Sequence, residues 1–365
     1  MFRVLAFTVK PRESADSRYR ILQYQAVAER DGIRIDHRSL MGSRYFRWQV
    51  QNVRLILRLL LYPVLLAIRL WQVLFLAPQY DAVWILREMA PLGPPMLEQM
   101  LVSRCKRVIL DVDDALHISD QESSRLIPRL LRDRSKFGRM AAFYASVVCG
   151  NAYLADFYSR HSAKVQIIPT VVDADRYASV VRIPADITRI GWIGSPLNKH
   201  HLEFLYPALL ALARERRFEL VIVGLNESLK WDLAGIRYMN WRLTEELDFF
   251  AHFDIGIMPL KDSPFARGKC AFKLVQYMAA GLPVIASPVG ANCDVVEHGR
   301  NGYLARTQDD WHSLLRLLID DPPLGRRMGA YGRDRVRRCY SIDKMWARYA
   351  AILTGALCEE SVCAV

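Results

Sequence analysis

Residues 266–290 read ARGKCAFKLVQYMAAGLPVIASPVG and combine a basic loop, a helix and a buried strand. FKLVQYMAAG has the apolar spacing of an amphipathic helix, and PVIASPV (283–289) is typical of a buried strand. A second apolar run, DIGIMPL (254–260), precedes them. A strand, a helix and a strand in this order predict a parallel sheet covered by helices.

The same alternation continues toward the N-terminus and is interrupted once, by the turn-rich stretch VVDADRYASVVRIPAD (171–186). The chain therefore reads as two α/β halves. The further predicted strands are ITRIGWIG (187–194) and FELVIVGL (218–225) in the second half, and FRVLAFT (2–8), IRIDHRS (33–39), AVWILRE (82–88), RVILDVD (107–113), SVVCGN (146–151) and VQIIPT (165–170) in the first.

Composition excludes several protein classes. A chain of 365 residues with 52% hydrophobic and 24% charged residues is long enough for about two domains and is not disordered or collagen-like. Seven cysteines without a C-x-x-C pair favour free thiols in the cytoplasm over a disulfide scaffold. The net charge of +12 favours an anionic partner, which charge alone does not identify as nucleic acid, phosphate or membrane.

One stretch, from His37 to Tyr80, has no acidic residue and contains the most apolar part of the chain. Arg69 divides it into uncharged runs too short to span a bilayer, so we expect it to lie on an anionic membrane surface. Pro63 is expected to split it into two helices. A core helix pair with one basic edge is the alternative. The arginines expected within about a 60° arc of the helix surface are Arg47, Arg54, Arg58 and Arg69.

Candidate ligand-binding residues lie where predicted strands end, because ligands of doubly wound sheets bind at the carboxyl edge. Arg267, Lys269 and Lys273 surround a loop that runs into a helix near Ala271, which suits an anion. A solvated basic loop is the alternative. The loop GWIGSPLNKHH (191–201) also follows a strand, and its glycines allow close approach of a phosphate or sugar.

These residues carry a resemblance. The 266–290 segment, with VVEHGRNGYLA after it, resembles the nucleotide-sugar site of family 4 glycosyltransferases, which have the two-domain GT-B fold. Further stretches resemble one bacterial subgroup of this family, which acts in surface-polysaccharide or glycolipid synthesis. They are SADSRYRILQY (14–24), WILREMAPLGPP (84–95), LDVDDALH (110–117), CGNAYLADFY (149–158), IIPTVVDADRY (167–177) and IGWIGSP (190–196).

The resemblance implies a fold and a reaction. The fold is α/β, with two Rossmann-like, doubly wound parallel-sheet domains facing a central cleft. The acceptor-side domain would cover 1–170, a linker 171–186 and the donor domain 187–340, with a C-terminal helix at 341–357 packing back on the first domain. The reaction is a retaining hexosyl transfer from a nucleoside-diphosphate sugar, with no metal or other cofactor.

Residue by residue, the family's E-x7-E motif falls on Gly268 and Gln276, neither of which is Glu. Gln276 is expected to bond a ribose hydroxyl through its amide. Lys269 and Lys273 are the candidates for stabilising the leaving diphosphate, with Arg267 as the third. The remaining donor-binding candidates are Gly194, Ser195, Lys199 and Phe272.

In the first domain, Asp113 and Asp114 are expected either to cap the next helix or to bond the acceptor's hydroxyls. The D-x-D formed by Asp111 and Asp113 is not interpreted as a metal site, because GT-B enzymes need none. Arg87 and Glu88 either pair with each other or contact the acceptor. The other candidates are His117, beside the reacting sugar, and Ser14, Ser17, Arg18 and Asn151 on the acceptor side.

Three functions stay open at this point. The first is a glycosyltransferase acting on a lipid-linked saccharide acceptor at the inner face of the cytoplasmic membrane. The second is a catalytically silent GT-B scaffold, suggested by Gly268 and Gln276. The third, a nucleic-acid-binding protein, is suggested only by a pI near 9.5 and is not favoured, because no nucleic-acid-reading module is recognisable.

Overall fold

The computed structural model describes residues 1–51, 53–118, 133–225 and 229–356. The chain divides into two compact units. The first contains residues 1–170 together with the segment that begins at Ile342, and the second contains Val171–Ser341. Each unit has a six-stranded sheet in which neighbouring strands run parallel.

The first sheet has the strand order β2-β1-β3-β4-β5-β6, and its central strands β3 to β5 are buried at every position. Its strands are β1 (Phe2–Thr8), β2 (Ile33–Ser39), β3 (Ala82–Leu86), β4 (Val108–Val112), β5 (Ser146–Cys149) and β6 (Val165–Ile167). The helices of this part of the chain are α1 (Ala15–Arg20), α2 (Gln25–Arg30), α3 (Ser43–Val50), α4 (Leu55–Trp71), α5 (Met96–Arg104), α6 (Lys136–Ala141) and α7 (Ala152–Ser159).

The second sheet has the order β12-β11-β10-β7-β8-β9. Its strands are β7 (Thr188–Ile193), β8 (Phe218–Val223), β9 (Ile236–Met239), β10 (Ile255–Met258), β11 (Val284–Ala286) and β12 (Gly302–Leu304). The remaining helices are α8 (Ala174–Ala178), α9 (Lys199–Glu203), α10 (Tyr206–Ala213), α11 (Pro264–Arg267), α12 (Phe272–Ala279), α13 (Asn292–Val295), α14 (Gln308–Asp320), α15 (Pro322–Cys339) and α16 (Ile342–Thr354).

Each sheet reverses its strand order once, and that reversal determines where a ligand fits. In the first sheet, the chain passes from β1 to β2 on one side and then crosses to β3 on the other side of β1. In the second sheet, the chain passes from β7 to β8 and β9 on one side and then crosses to β10 on the other side of β7. Loops that follow such neighbouring strands diverge and leave a crevice at their carboxyl ends.

The C-terminal helix α16 is part of the first unit and is held there by a buried carboxylate. Asp111 Oδ1 accepts from Arg20 Nη2 at 2.6 Å, and Asp111 Oδ2 accepts from Tyr349 at 2.7 Å. Trp84 Nε1 also donates to Oδ2, at 3.2 Å. A buried charge is tolerated only when it is paired and hydrogen-bonded, and Asp111 meets both conditions. Its role here is structural.

Residues Leu55–Gln79 form a helical segment of 25 residues that is long and apolar enough to cross a membrane, judged by length and composition alone. The expectation that Pro63 splits it is wrong: Pro63 lies exposed inside α4, which continues through it. The expected arc of four arginines available to an anionic membrane is also wrong, because Arg58 and Arg69 are buried. The alternative of a core helix pair with one basic edge fails as well, since only 11% of the most apolar 18-residue stretch of this segment is buried.

Replacing Asp111 by Asn should destabilise the first unit by about 3–5 kcal/mol, because the buried Arg20 charge loses its counter-charge. Urea unfolding measures the loss. Asp343→Asn is the matched control: it breaks an exposed pair of α16 with Arg30 and should cost at most about 1 kcal/mol. Equal stability of the two variants would contradict the structural role of Asp111.

Candidate functional site

The crevice of the second sheet begins at two glycines, one directly after β7 and one directly after β8. A Cβ on Gly194 would lie 2.3 Å from the ring of Trp192, so no side chain fits there. Gly224, at the end of β8, has φ +93°, and a Cβ on it would lie 2.5 Å from the Gly194 oxygen. The backbones of both strand ends therefore approach each other closely, and the approach of a phosphate or sugar to Gly194 stays a prediction.

The loops that follow β7 and β10 meet through Lys269. Lys269 Nζ donates to Asn198 Oδ1 at 3.1 Å and lies 5.4 Å from the ring centroid of Phe265. The structure thus brings together two loops that the sequence singled out separately. The loop after β11 supports them, because a Cβ on Gly290 would lie 2.4 Å from the Arg267 oxygen.

Lys273, in the first turn of α12, is positioned by Gln276. Lys273 Nζ donates to Gln276 Oε1 at 2.7 Å, and Gln276 Nε2 donates to the Tyr177 hydroxyl at 2.5 Å. Gln276 has no exposed surface. The expected contact between its amide and a ribose therefore does not fit this arrangement, which commits the amide oxygen to Lys273 and the nitrogen to Tyr177.

The basic loop has strained backbone at its junction with α12. Ala271, the residue before the helix, is buried and has φ +49°, which side-chain-bearing residues rarely adopt. Such conformations persist where the surroundings impose them, and they cluster at functional sites. Gly268, by contrast, has an ordinary φ of −78° and ends α11.

Other donor-side candidates are engaged elsewhere in the second unit. Arg267 is exposed and makes a two-pronged ion pair with Asp262, with both distances at 2.7 Å. Lys199 Nζ lies 3.5 Å from the Glu203 carboxylate. The exposed Ser195 accepts a long bond from Asn198, and Phe272 lies under Lys273 with 5.3 Å between Nζ and the ring centroid.

His201 is a residue of this crevice that the sequence reasoning did not select. It is 5% exposed, and its Nδ1 accepts from the backbone N–H of Lys261. Burial, together with nearby His200, Lys269 and Lys261, lowers the pKa of His201 to about 3. The signal that could have found it is the run KHH directly after a strand that borders the strand-order reversal.

The corresponding crevice of the first sheet holds a cavity of about 220 Å³. At its centre Arg87 donates to both carboxylate oxygens of Asp113, at 2.5 and 3.0 Å, and pairs with Asp16 at 2.9 Å. Arg87 has φ +71°, a second strained position at a strand end. The lining residues are Thr8, Val9, Lys10, Asp16, Ser17, Met41, Gln49, Leu86, Arg87, Glu88, Pro91 and Leu116.

The loop after β1 is organised around Asp16. Its carboxylate accepts from Lys10 at 2.9 Å, from the Ser17 backbone N–H at 2.9 Å and from the Ser14 hydroxyl. Burial alone would raise the pKa of Asp16, but the charges of Lys10 and Arg87 hold it well below its ordinary value. Ser17 is buried and donates to the Lys10 oxygen, and the Arg18 guanidinium lies over the Tyr19 ring.

Several first-unit expectations are corrected. Glu88 does not pair with Arg87, because it is buried against Lys136 at 2.8 Å. Asp113 binds Arg87, and Asp114 accepts from the adjacent Ala115 N–H. The expectation that one of them caps the next helix falls on residues beyond 118, outside the described part of the chain, and stays a prediction.

Asn151 and His117 also have structural surroundings. Asn151 is buried and caps α7 by accepting from the Leu154 N–H at 2.9 Å, rather than facing a ligand. His117 stacks on Phe157 with ring centroids 3.7 Å apart. Burial, with a smaller contribution from His161, lowers the pKa of His117 to about 4, so the ring is neutral at pH 7.

Within the described ranges, no group of three or more His, Cys, Asp or Glu side chains could hold a metal ion. Asp111, one half of the D-x-D, has its carboxylate committed to Arg20, Tyr349 and Trp84.

Comparison with known sequences finds a family match in the second unit. Residues 187–321 match the family described as glycosyl transferases group 1. A D-inositol 3-phosphate glycosyltransferase of Stackebrandtia nassauensis is 25% identical over 276 residues, which cover 66% of this chain and 59% of that protein. An MMP α-(1→4)-mannosyltransferase of Mycolicibacterium hassiacum is 33% identical over 94 residues, 24% of this chain and 22% of that protein. The chain thus matches less than two thirds of the length of these curated relatives.

Solved structures confirm the predicted GT-B fold. A glycosyltransferase from Rickettsia africae superposes with a TM-score of 0.69 at 12% identity, covering 98% of this chain and 99% of the other. Anabaena HepE, solved in complex with UDP and glucose, superposes with a TM-score of 0.67 at 15% identity, covering 97% of this chain and all of the other. At such identities the likeness concerns the fold.

Acidification should destabilise the second unit through His201. Because its folded-state pKa lies below 6.5, the neutral ring contributes stability that is complete above about pH 6.5 and declines as pH falls toward 3. Between pH 7 and pH 5 the wild type should lose about 1–2 kcal/mol more than His201→Gln, in which Gln can still accept from Lys261. Urea unfolding at both pH values tests this, and parallel losses would show that His201 is not held neutral.

Proposed function

We propose that this protein is a glycosyltransferase that uses a nucleoside-diphosphate sugar and binds the donor diphosphate at Lys269 and Lys273. One observation carries the proposal: both lysines lie at the strand-order reversal and donate to neutral side-chain amides, those of Asn198 and Gln276. Each bond holds an ammonium group at the carboxyl edge of the sheet. Arg267 is exposed and binds the Asp262 carboxylate.

The chemistry of sugar transfer needs positive charge at this place. As the bond from the sugar to the diphosphate breaks, negative charge accumulates on the leaving phosphate. Two ammonium groups fixed before the reaction stabilise that charge without having to reorganise. Gln276 is then a positioning residue for Lys273. We propose a retaining transfer of a hexose that needs no metal ion and no other cofactor.

We assign the acceptor to the cavity of the first unit. A carboxylate and a guanidinium around it, from Asp16 and Arg87, with Asp113 behind as the partner of Arg87, are suited to hydrogen-bonding sugar hydroxyls. We propose that the acceptor is a lipid-linked saccharide in surface-polysaccharide or glycolipid synthesis, and that nucleic acid is not a partner. The group 1 domain and the named activities of the relatives support the reaction class.

Lys269→Ala and Lys273→Ala should each weaken the binding of the matching nucleoside diphosphate roughly 10- to 100-fold, the usual effect of losing a charge-assisted hydrogen bond. Isothermal titration with UDP, GDP and ADP measures the loss. Lys230→Ala, which removes an exposed charge elsewhere in the second unit, should bind within about twofold of wild type. If all three variants bind alike, the two lysines are not phosphate ligands.

Gln276→Leu separates positioning from ribose binding. If Gln276 acts through Lys273, the affinity of Gln276→Leu for the nucleoside diphosphate should fall about tenfold, which is about the free energy of one hydrogen bond. Its affinity for the nucleoside without phosphates should not fall. A comparable loss for the nucleoside would instead establish a direct ribose contact. Tyr177→Phe is the folding control, because it removes the other partner of Gln276 and leaves the bond to Lys273.

Turnover distinguishes an enzyme from a silent scaffold. Purified protein should hydrolyse or transfer its donor sugar, and EDTA should leave the rate unchanged. Donor binding without any release of nucleoside diphosphate in the presence of membrane extract would favour the scaffold. Loss of the rate in EDTA, restored by Mn²⁺, would contradict the metal-free mechanism.

A further inference from the structure

The helical segment Leu55–Gln79 presents a stripe of large apolar side chains to solvent. The stripe consists of Ile56, Leu60, Val64, Ile68, Trp71 and Phe75, which are 49–75% exposed. At 100° per residue these positions fall within an arc of about 120°. We call it the outer stripe. Single exposed apolar residues are ordinary, but a continuous row of this length is typical of an interaction surface.

The opposite side of the helix faces the protein and carries the two arginines of α4. Arg58 and Arg69 are buried and lie about 150° from the middle of the outer stripe by the same count. Arg69 Nη2 donates to the Thr8 oxygen at 2.7 Å, and its guanidinium lies over the Phe7 ring. The Tyr62 hydroxyl accepts from the Leu92 N–H at 3.2 Å. These bonds to backbone fix the rotation of the helix, so the outer stripe cannot turn inward.

Charge around the helix indicates what covers the stripe. No acidic residue occurs between His37 and Tyr80, and Arg44, Arg47 and Arg54 are exposed near the N-terminal end of the helix. A membrane surface has acyl chains beneath anionic headgroups. The uninterrupted apolar row matches the acyl chains, and the exposed arginines beside it match the headgroups.

We propose that the outer stripe inserts into the interface of an anionic bilayer, with the helix lying in the membrane plane and Arg44, Arg47 and Arg54 at the headgroups. The inner arginines bind the sheet and do not touch lipid. The segment lies on the membrane rather than spanning it, because its inner side is bonded to the first unit. The net positive surface favours the cytoplasmic leaflet, which is the negatively charged one. This docking does not depend on the proposed reaction.

Flotation of the full chain with vesicles of phosphatidylglycerol and phosphatidylcholine tests the proposal. Wild type should float, and most of it should still float in 1 M salt, where charge interactions are screened within about 3 Å. Leu60→Glu/Val64→Glu should reduce the floating fraction at least tenfold. The matched control is Val181→Glu/Leu317→Glu, which places the same charges at exposed apolar positions of the second unit and should float like wild type.

A second readout reports insertion directly. Vesicles with bromine on the acyl chains should quench the fluorescence of Trp71, so wild type should be quenched more than Trp71→Phe. Unchanged circular dichroism of the variants checks folding, which exposed substitutions should leave intact.

Three results would overturn the proposal. The first is that the wild-type protein does not float with the vesicles and stays at the bottom of the gradient. Another is flotation that is abolished by salt and by Arg44→Glu/Arg47→Glu but not by the stripe variant, which would make the contact electrostatic only. The last is a stable dimer by light scattering that Leu60→Glu/Val64→Glu dissociates, because a second copy would then cover the stripe.

Discussion

The strand order of two parallel sheets is the constraint on which the other features depend. In each unit the order reverses once, between β1 and β3 and between β7 and β10. Only at those reversals do neighbouring loops diverge at the carboxyl edge. The Arg87 cavity and the Lys269–Asn198 contact both lie there. The sheets therefore determine where the chemistry can be, and the loops determine what it is.

The two crevices treat their charges differently. In the first, Arg87 is surrounded by the carboxylates of Asp16 and Asp113, so charge is balanced within the protein. In the second, Lys269 and Lys273 donate to the amide oxygens of Asn198 and Gln276. Strained backbone at Arg87 and Ala271 accompanies both arrangements. We propose the diphosphate beside the two lysines of the second unit and hydroxyl groups beside the carboxylates of the first.

The sequence predicted the strands best where they are buried and continuous. β1 and β2 match the predicted residues, because their apolar residues lie in one uninterrupted run or alternate regularly. β12, with three residues, and the half-buried edge strand β9 were missed, since neither has enough buried positions to form a pattern. The run YRILQYQAVAER (19–30) has the apolar spacing of a single helix, but it is interrupted at Ile21, whose backbone leaves the helical region.

The candidate site was predictable in position but not in its contacts. Loops after strands could be named, whereas the bond between Lys269 and Asn198 joins residues 71 apart and depends on the strand order. The burial of Gln276 depends on Tyr177, which the sequence placed in a linker. Helical periodicity located the arginines of α4 on one side correctly, but it does not say whether that side faces solvent or protein. The bonds of Arg69 to the backbone oxygens of Thr8 and Arg38 turn that side of α4 toward the protein.

A crystal structure of the chain with its matching nucleoside diphosphate would test the central claim most directly. The account predicts the diphosphate at the carboxyl edge between β7 and β10, with phosphate oxygens about 2.7–3.2 Å from Nζ of Lys269 and Lys273. Gln276 should still hold Lys273. A diphosphate bound in the Arg87 cavity of the first unit, or bound away from both lysines, would contradict it.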